Sequence, residues 1–229
     1  MYGPKPVHLS PLSLAEVRTV VGCTLRVLAD STRTVDIMVG EELTARSQLR
    51  YLRENGIFET EDGTALLRDK PSFVHVDLQE LMRLPEHTLG GRLARFHRTN
   101  GLTASVYHQP TQFVTNPQDA YLMQRIRHCH DVWHVLTGLG VQGHEEILLH
   151  AFSLAQTGLP SSMVLGILGS LKHMILELRL KTLCLGMYEA YRMGARCEPL
   201  LAVYWERYFE QPLEDIRLRY GIGTLSHYS

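Results

Sequence analysis

The sequence predicts an all-α protein, and three observations carry that prediction. Helix-start signatures recur along the chain. A glycine or proline follows most of them at the matching stop. No segment sustains the two-residue alternation of a half-buried strand. The expected arrangement is one multi-helix domain over residues 1–229, with a small N-terminal helical lobe at 10–56 as its only subdivision.

The elements follow in order. Ser13 and Glu16 stand three apart, a capping-box spacing, ahead of Val17, Val20, Val21, Leu25 and Leu28. A second helix is expected from Glu41 to about Glu54, stopped near Gly56. Residues 57–76, with Pro71 among them, read as irregular. Asp77 and Glu80 repeat the capping-box spacing and open a short helix to Leu84, which Pro85 breaks; Leu89 to Arg98 reads as helix. Gly101 to Thr115 has no helical period. Asn116-Pro117 then reads as N-cap and first helical residue of a helix to about Thr137, ended by Gly138 and Gly140. The next helix is expected from about His144 to Thr157, closed by Gly158 with Pro160 beyond. A long helix over 161–193, another over about 199–210, and a last one from Leu213 to Tyr220, stopped by Gly221, complete the prediction.

Bulk composition excludes several classes. A net charge of −1, from 23 basic and 24 acidic residues, gives no electrostatic footprint for nucleic acid. Cys23, Cys129, Cys184 and Cys197 form no C-x-x-C pair and no disulfide framework, so a reducing compartment is expected. Met1 to Leu9 reads as neither a signal peptide nor a transit segment. The longest apolar run, Met163 to Gly169, is too short to span a bilayer. The expected location is cytoplasmic, or peripheral on the cytoplasmic membrane face.

The segment that carries chemistry is His128-Cys-His-Asp-Val-Trp-His134. His130 and His134 are four apart, so on a helix they share one face, and Asp131 borders it. Glu146 falls about one turn into the next helix, as His134 falls about one turn before the end of its own. In an antiparallel pair joined by a short loop both side chains stand roughly 6 Å from the turn, at 1.5 Å per residue. His130, Asp131, His134 and Glu146 are therefore the expected metal ligands and catalytic residues. Imidazole with carboxylate suits Zn2+, Fe2+, Mn2+ or Co2+, and Mg2+ less well. The plain alternative is a hydrogen-bonded polar network between two helices. Glu145 is the competitor to Glu146; Glu145, His128, His144 and His150 read as surface residues or helix-end charges, with support of the metal ligands as the alternative. The apolar stretch after Leu159 reads as core packing or as a wall for a long apolar ligand, with Met163, Ile167, Leu171 and Met174 as its lipid-binding residues. Arg125 and Arg127 are candidates for an anionic headgroup, against the default of exposed helix charges.

The spaced set His130-Asp131-Val-Trp-His134, eleven residues, then Glu146 resembles the signature of the coenzyme Q biosynthesis protein 4 family. The similarity extends to Gln156-Thr157-Gly158-Leu159-Pro160, to Leu84-Pro85-Glu86, to Tyr121 through Arg127, and to Tyr204-Trp205-Glu206-Arg207, and so covers roughly residues 70–221. Gly140 stands where the family often has proline, and Glu145 where it often has glycine. The resemblance implies a helical fold, a divalent metal, zinc first, on those four residues, and a role in ubiquinone or other prenylquinone synthesis. The implied activity is loss of a C1 carboxylate from a polyprenylated 4-hydroxybenzoate-type ring, with a hydroxyl taking its place. It also implies an isoprenoid lipid partner, other quinone-biosynthesis proteins, a membrane surface, and a homo-oligomer, in the simplest case a homodimer. Two alternatives remain: a non-catalytic prenyl-lipid-binding scaffold, and a metal phosphohydrolase suggested by the adjacent His130-Asp131 pair. The latter needs a distant downstream aspartate, and Asp215 is the only aspartate after Asp131.

Overall fold

Local side-chain chemistry sets where the helices begin. The structure is a computed structural model that describes residues 3–30, 33–102, 111–162, 164 and 180–225. Ser13 opens α1 (Leu14–Ala29) with the expected capping box: Ser13 N donates to Glu16 at 2.8 Å and Glu16 N to the Ser13 hydroxyl. This helix lies on α2 and leaves Leu14, Val17, Val21, Leu25 and Leu28 exposed.

α2 (Thr34–Glu54) starts well before the expected Glu41. Gly40 looks like a break in sequence, but an interior glycine costs only about 1 kcal/mol. Packing of Leu43, Leu49 and Leu52, all fully buried, outweighs that. α3 (Glu61–Asp69) occupies part of the stretch expected to be irregular. Thr60 caps it by accepting from Gly63 N at 3.0 Å. Gly63 is there for close approach, since a Cβ would lie 2.6 Å from the Phe58 Cα. A glycine that signals a loop in sequence is here a packing requirement.

α4 (Leu78–Arg83) is capped by Asp77, and α5 (Leu89–Asn100) by Thr88. The start of α5 is stitched to the C-terminal segment by Leu89 N to Gln211 O and Gly90 N to Phe209 O, at 2.9 and 2.8 Å. α6 (Pro117–Thr137) begins at Asn116 and stops at Gly138, which takes the left-handed conformation only glycine adopts without cost. α7 (Gly143–Thr157) ends the same way at Gly158.

α8 (Leu180–Arg196) covers the C-terminal end of the helix expected over 161–193 and runs a little past it. Met163, Ile167, Leu171 and Met174, the expected lipid wall, lie outside the described residues. The helix expected over 199–210 is replaced by two 3-10 turns, Leu200–Ala202 and Trp205–Arg207. Side chains capture the backbone groups that an α-helical ladder would need. Arg125 takes the Val203 carbonyl at 3.0 Å and Asp62 accepts from Tyr204 N at 3.4 Å. α9 (Leu213–Tyr220) ends at Gly221 as expected. Among the described residues there is no strand, only an isolated bridge between Thr88 and Pro212.

One hydrophobic core joins α2 to α9 through Leu49, Leu66, Leu93, Trp133, Phe152 and Trp205. α7 and α8 pack closely because Gly194 faces the Phe152 carbonyl, where a Cβ would sit at 2.6 Å. Gln156 bridges the same junction, donating to Gly194 O at 2.6 Å and accepting from Leu200 N at 2.9 Å. The N-terminal segment crosses the end of α7, with Lys5 N on Ala155 O at 3.0 Å and Gln48 on Thr157 O at 2.7 Å.

Candidate metal centre

The rotation of α6 decides which side chains reach α7. Leu122, Met123, Cys129, Val132, Trp133 and Leu136 bury one face completely or nearly so. Arg125 fixes that rotation. It is fully buried and forks onto Glu206 at 2.6 and 3.0 Å. Two segments that carried the family resemblance, 121–127 and 204–207, are thus joined by one ion pair. α6 and α7 run antiparallel: His134 meets Glu146, Trp133 meets Phe152, and His130 meets His150.

Across that pair the structure brings together His130, His134 and Glu146 as a group able to hold a metal ion. The two Nε2 atoms are 3.2 Å apart. His130 Nε2 is 3.3 Å from one Glu146 oxygen, and His134 Nε2 is 3.4 Å from the other. His134 Nδ1 lies 3.2 Å from the Leu139 carbonyl. A carbonyl only accepts, so Nδ1 carries a hydrogen, and Nε2 is the nitrogen turned toward the cluster. His134 is buried, whereas the His130 and Glu146 side chains are each 32% exposed, so the cluster opens on one side.

Electrostatics hold these groups ready. Burial raises the pKa of Glu146, but its hydrogen bonds and proximity to the two imidazoles outweigh that and hold its carboxyl well below the usual range. Burial lowers that of His130, yet Glu146, then Asp131 and Glu41, reverse the sign and raise it. His150 is pushed down to about 4 by burial, then by His130, and so is a neutral imidazole beside the cluster at neutral pH.

Asp131, the fourth expected ligand, lies outside the three-residue group; its Oδ2 is 3.0 Å from His97 Nε2. Glu145 is no competitor to Glu146. Its carboxylate accepts from Gly140 N and Gln142 N, at 2.8 and 3.0 Å, and so caps α7. This explains the paired departure from the family pattern. Proline at 140 has no N–H to donate, and any Cβ there would sit 2.6 Å from Glu145. His128, read as a surface residue, is buried and stacks on Phe73 at 5.5 Å. Neither arginine is an exposed helix charge: Arg125 is committed to Glu206, and Arg127 pairs with Glu41 and Glu42 at 3.2 and 2.9 Å. Sequence reasoning missed Glu41, Phe96 and His97. They come from α2 and α5, and no local spacing connects them to the motif.

The family model described as "Coenzyme Q (ubiquinone) biosynthesis protein Coq4" matches residues 6–226. The chain belongs to the Coq4 family. It is 32% identical to the protein named "Ubiquinone biosynthesis protein COQ4 homolog, mitochondrial" of Danio rerio, over 93% of this chain and 78% of that protein. The Bos taurus protein of the same name is 31% identical, over 95% of this chain and 82% of its own length. A crystal structure from Nostoc punctiforme PCC 73102 superposes with a TM-score of 0.70 at 25% identity, over 90% of this chain and 97% of that one. The two vertebrate Coq4 proteins are named mitochondrial, which differs from the cytoplasmic expectation for this chain. No helix among the described residues is long and apolar enough to cross a membrane.

Proposed function

We propose that this Coq4 chain acts in the biosynthesis of ubiquinone or a related prenylquinone, removing the C1 carboxylate of a polyprenylated 4-hydroxybenzoate-type ring, with a hydroxyl taking its place. The observation that carries this reading is the group of His130, His134 and Glu146, in which the two imidazole nitrogens are 3.2 Å apart, each faces its own Glu146 oxygen at 3.3 or 3.4 Å, and one side is open. Ligand atoms about 2.0–2.1 Å from a tetrahedral zinc stand about 3.3–3.4 Å apart, so the donor set fits that ion. The exposed side at His130 and Glu146 leaves a coordination position open to substrate, with or without Asp131 among the ligands, which is the pattern of a catalytic rather than a closed structural site.

A divalent ion held there supplies Lewis acidity toward a phenolate or carboxylate oxygen of the ring, where negative charge develops as carbon dioxide leaves. The chain's own residues do the rest. Leu139 fixes the His134 tautomer, and Glu146 stays ionised between the imidazoles. Asp131 is assigned as the fourth ligand or as the carboxylate that completes the charge of the site. His150 offers a neutral ring at the cluster's edge. Loss of carbon dioxide alone leaves an electron pair on C1 that takes up a proton. Putting a hydroxyl there also requires an oxygen atom and a two-electron oxidant, assigned to dioxygen or another cosubstrate. On sequence grounds, the prenyl tail is assigned to the apolar segment with Met163, Ile167, Leu171 and Met174.

A scaffold reading draws on a different observation, the exposed stripe of Leu14, Val17, Val21, Leu25 and Leu28 on α1, an apolar face suited to a membrane or another biosynthetic protein. The experiment that separates the two readings is turnover of a prenylated hydroxybenzoate by wild type and His134→Ala. The enzyme reading expects loss of carbon dioxide release in the variant with its helicity intact. Unchanged turnover overturns it.

A further inference from the structure

Two consecutive residues of α5, Phe96 and His97, address the ligand-bearing turn of α6. The Phe96 ring stacks on His134 with centroids 5.1 Å apart and planes at 28°. His97 Nε2 meets Asp131 Oδ2 at 3.0 Å. His134 and Asp131 are three apart on α6, so they share one edge of that helix, and α5 crosses there.

The chemistry of the second contact is directional. A carboxylate accepts only, so the His97 nitrogen facing Asp131 carries a hydrogen and donates it. His97 is 3% exposed, on a helix whose buried face also includes Leu89, Leu93 and Ala94. A nearly fully buried imidazole is a rigid donor: its ring has no space to swing, and its backbone is fixed by the α5 core contacts. Asp131 is 17% exposed and sits next to His130 in sequence. Its carboxylate is thus held on one side by the interior of the protein while its neighbour turns toward Glu146.

We infer that His97 is a positioning residue of the metal centre: its Nε2–H holds Oδ2 of Asp131 and so sets where that carboxylate stands relative to the ion. This deepens the proposed function and rests on it, because it takes a divalent ion at His130, His134 and Glu146 as given. Hydrogen-bond partners that orient a metal's carboxylate and imidazole ligands typically carry 10–100-fold in metal affinity.

The test is titration of the metal-free full chain with Co2+ and, separately, Zn2+ against a competing chelator, with the visible d–d band of the Co2+ form as a second readout. His97→Leu, which keeps bulk and removes the donor, is expected to weaken both metals by about 10–100-fold. It is also expected to shift the Co2+ band, while helicity by circular dichroism stays that of wild type. Asp131→Asn is expected to shift the band in the same sense, and the double variant to bind no more weakly than the weaker single one. His97→Gln places an amide donor near the Nε2 position and is expected to recover most of the affinity; it is also the variant to read if His97→Leu does not fold. Wild-type affinity and an unshifted band in His97→Leu, or effects of the two substitutions that simply add, would overturn the inference and leave the metal centre standing. A wild-type chain that binds neither metal would instead overturn the proposed function, and this inference with it.

Discussion

Glu206→Ala should destabilise this protein far more than loss of an ordinary ion pair. Arg125 is fully buried, and its guanidinium makes two parallel bonds to Glu206, at 2.6 and 3.0 Å, plus one to the Val203 carbonyl at 3.0 Å. Removing one partner of a buried pair leaves an uncompensated charge and costs about 3–5 kcal/mol. Two features favour the lower end. The Glu206 side chain is 16% exposed, which admits water to the vacated position, and the guanidinium stays over the Phe73 ring, 5.2 Å from its centroid. At about 3 kcal/mol, and about 2–4 °C per kcal/mol for a chain of this size, the midpoint should fall by roughly 6–12 °C. Glu206→Gln, which keeps an acceptor, should lose less. The control is Glu86→Ala, whose pair with Arg92 is 64% and 51% exposed and should cost no more than about 1 kcal/mol. Thermal and urea unfolding of metal-free protein measure both. A Glu206→Ala variant within about 0.5 kcal/mol of wild type, the range of an ordinary surface substitution, would refute the reasoning.

Three further predictions concern packing and protonation. Gly63→Ala must push a Cβ against the Phe58 backbone, and urea unfolding should show a loss of about 1–3 kcal/mol. Gln156→Leu leaves the Gly194 carbonyl and the Leu200 N–H buried without their side-chain partner; at about 1–3 kcal/mol for each stranded group, a loss of several kcal/mol is expected. His150 has an ordinary pKa of 6.5 and a folded one of about 4, so the unfolded chain binds more protons between those values. The stability this gives is full above pH 6.5 and is lost as pH falls toward 4. His150→Phe should therefore flatten the acid side of the stability profile of the metal-free protein, and an unaltered profile would contradict the assignment.

Much of this arrangement was legible because helix ends are written in local chemistry. Asn116-Pro117 and Gly138 bound α6 correctly, and the i, i+4 spacing of His130 and His134 with a short loop to Glu146 is enough to predict that the three meet. What was illegible is non-local. The start of α2 ahead of Glu41 and the presence of α3 within 57–76 rest on contacts that only the folded structure shows, the burial of Leu43, Leu49 and Leu52 for one and the closeness of Gly63 to Phe58 for the other. The 3-10 turns near 200–207 follow from a buried arginine on another helix. Asp131 was read by position alone as one more ligand, yet its partner His97 lies on α5, where no spacing in the motif points. Glu145 and Glu146 are adjacent glutamates with opposite duties, one capping α7 and one facing the imidazoles.

Metal stoichiometry tests the central claim most directly. Elemental analysis of chain reconstituted with zinc and then desalted should find one ion per wild-type chain, and one in the Glu145→Ala variant that loses only a helix cap. Glu146→Ala should hold none while its circular dichroism stays that of wild type. A wild-type chain that retains no ion, or a Glu146→Ala chain that retains it fully, would contradict the account.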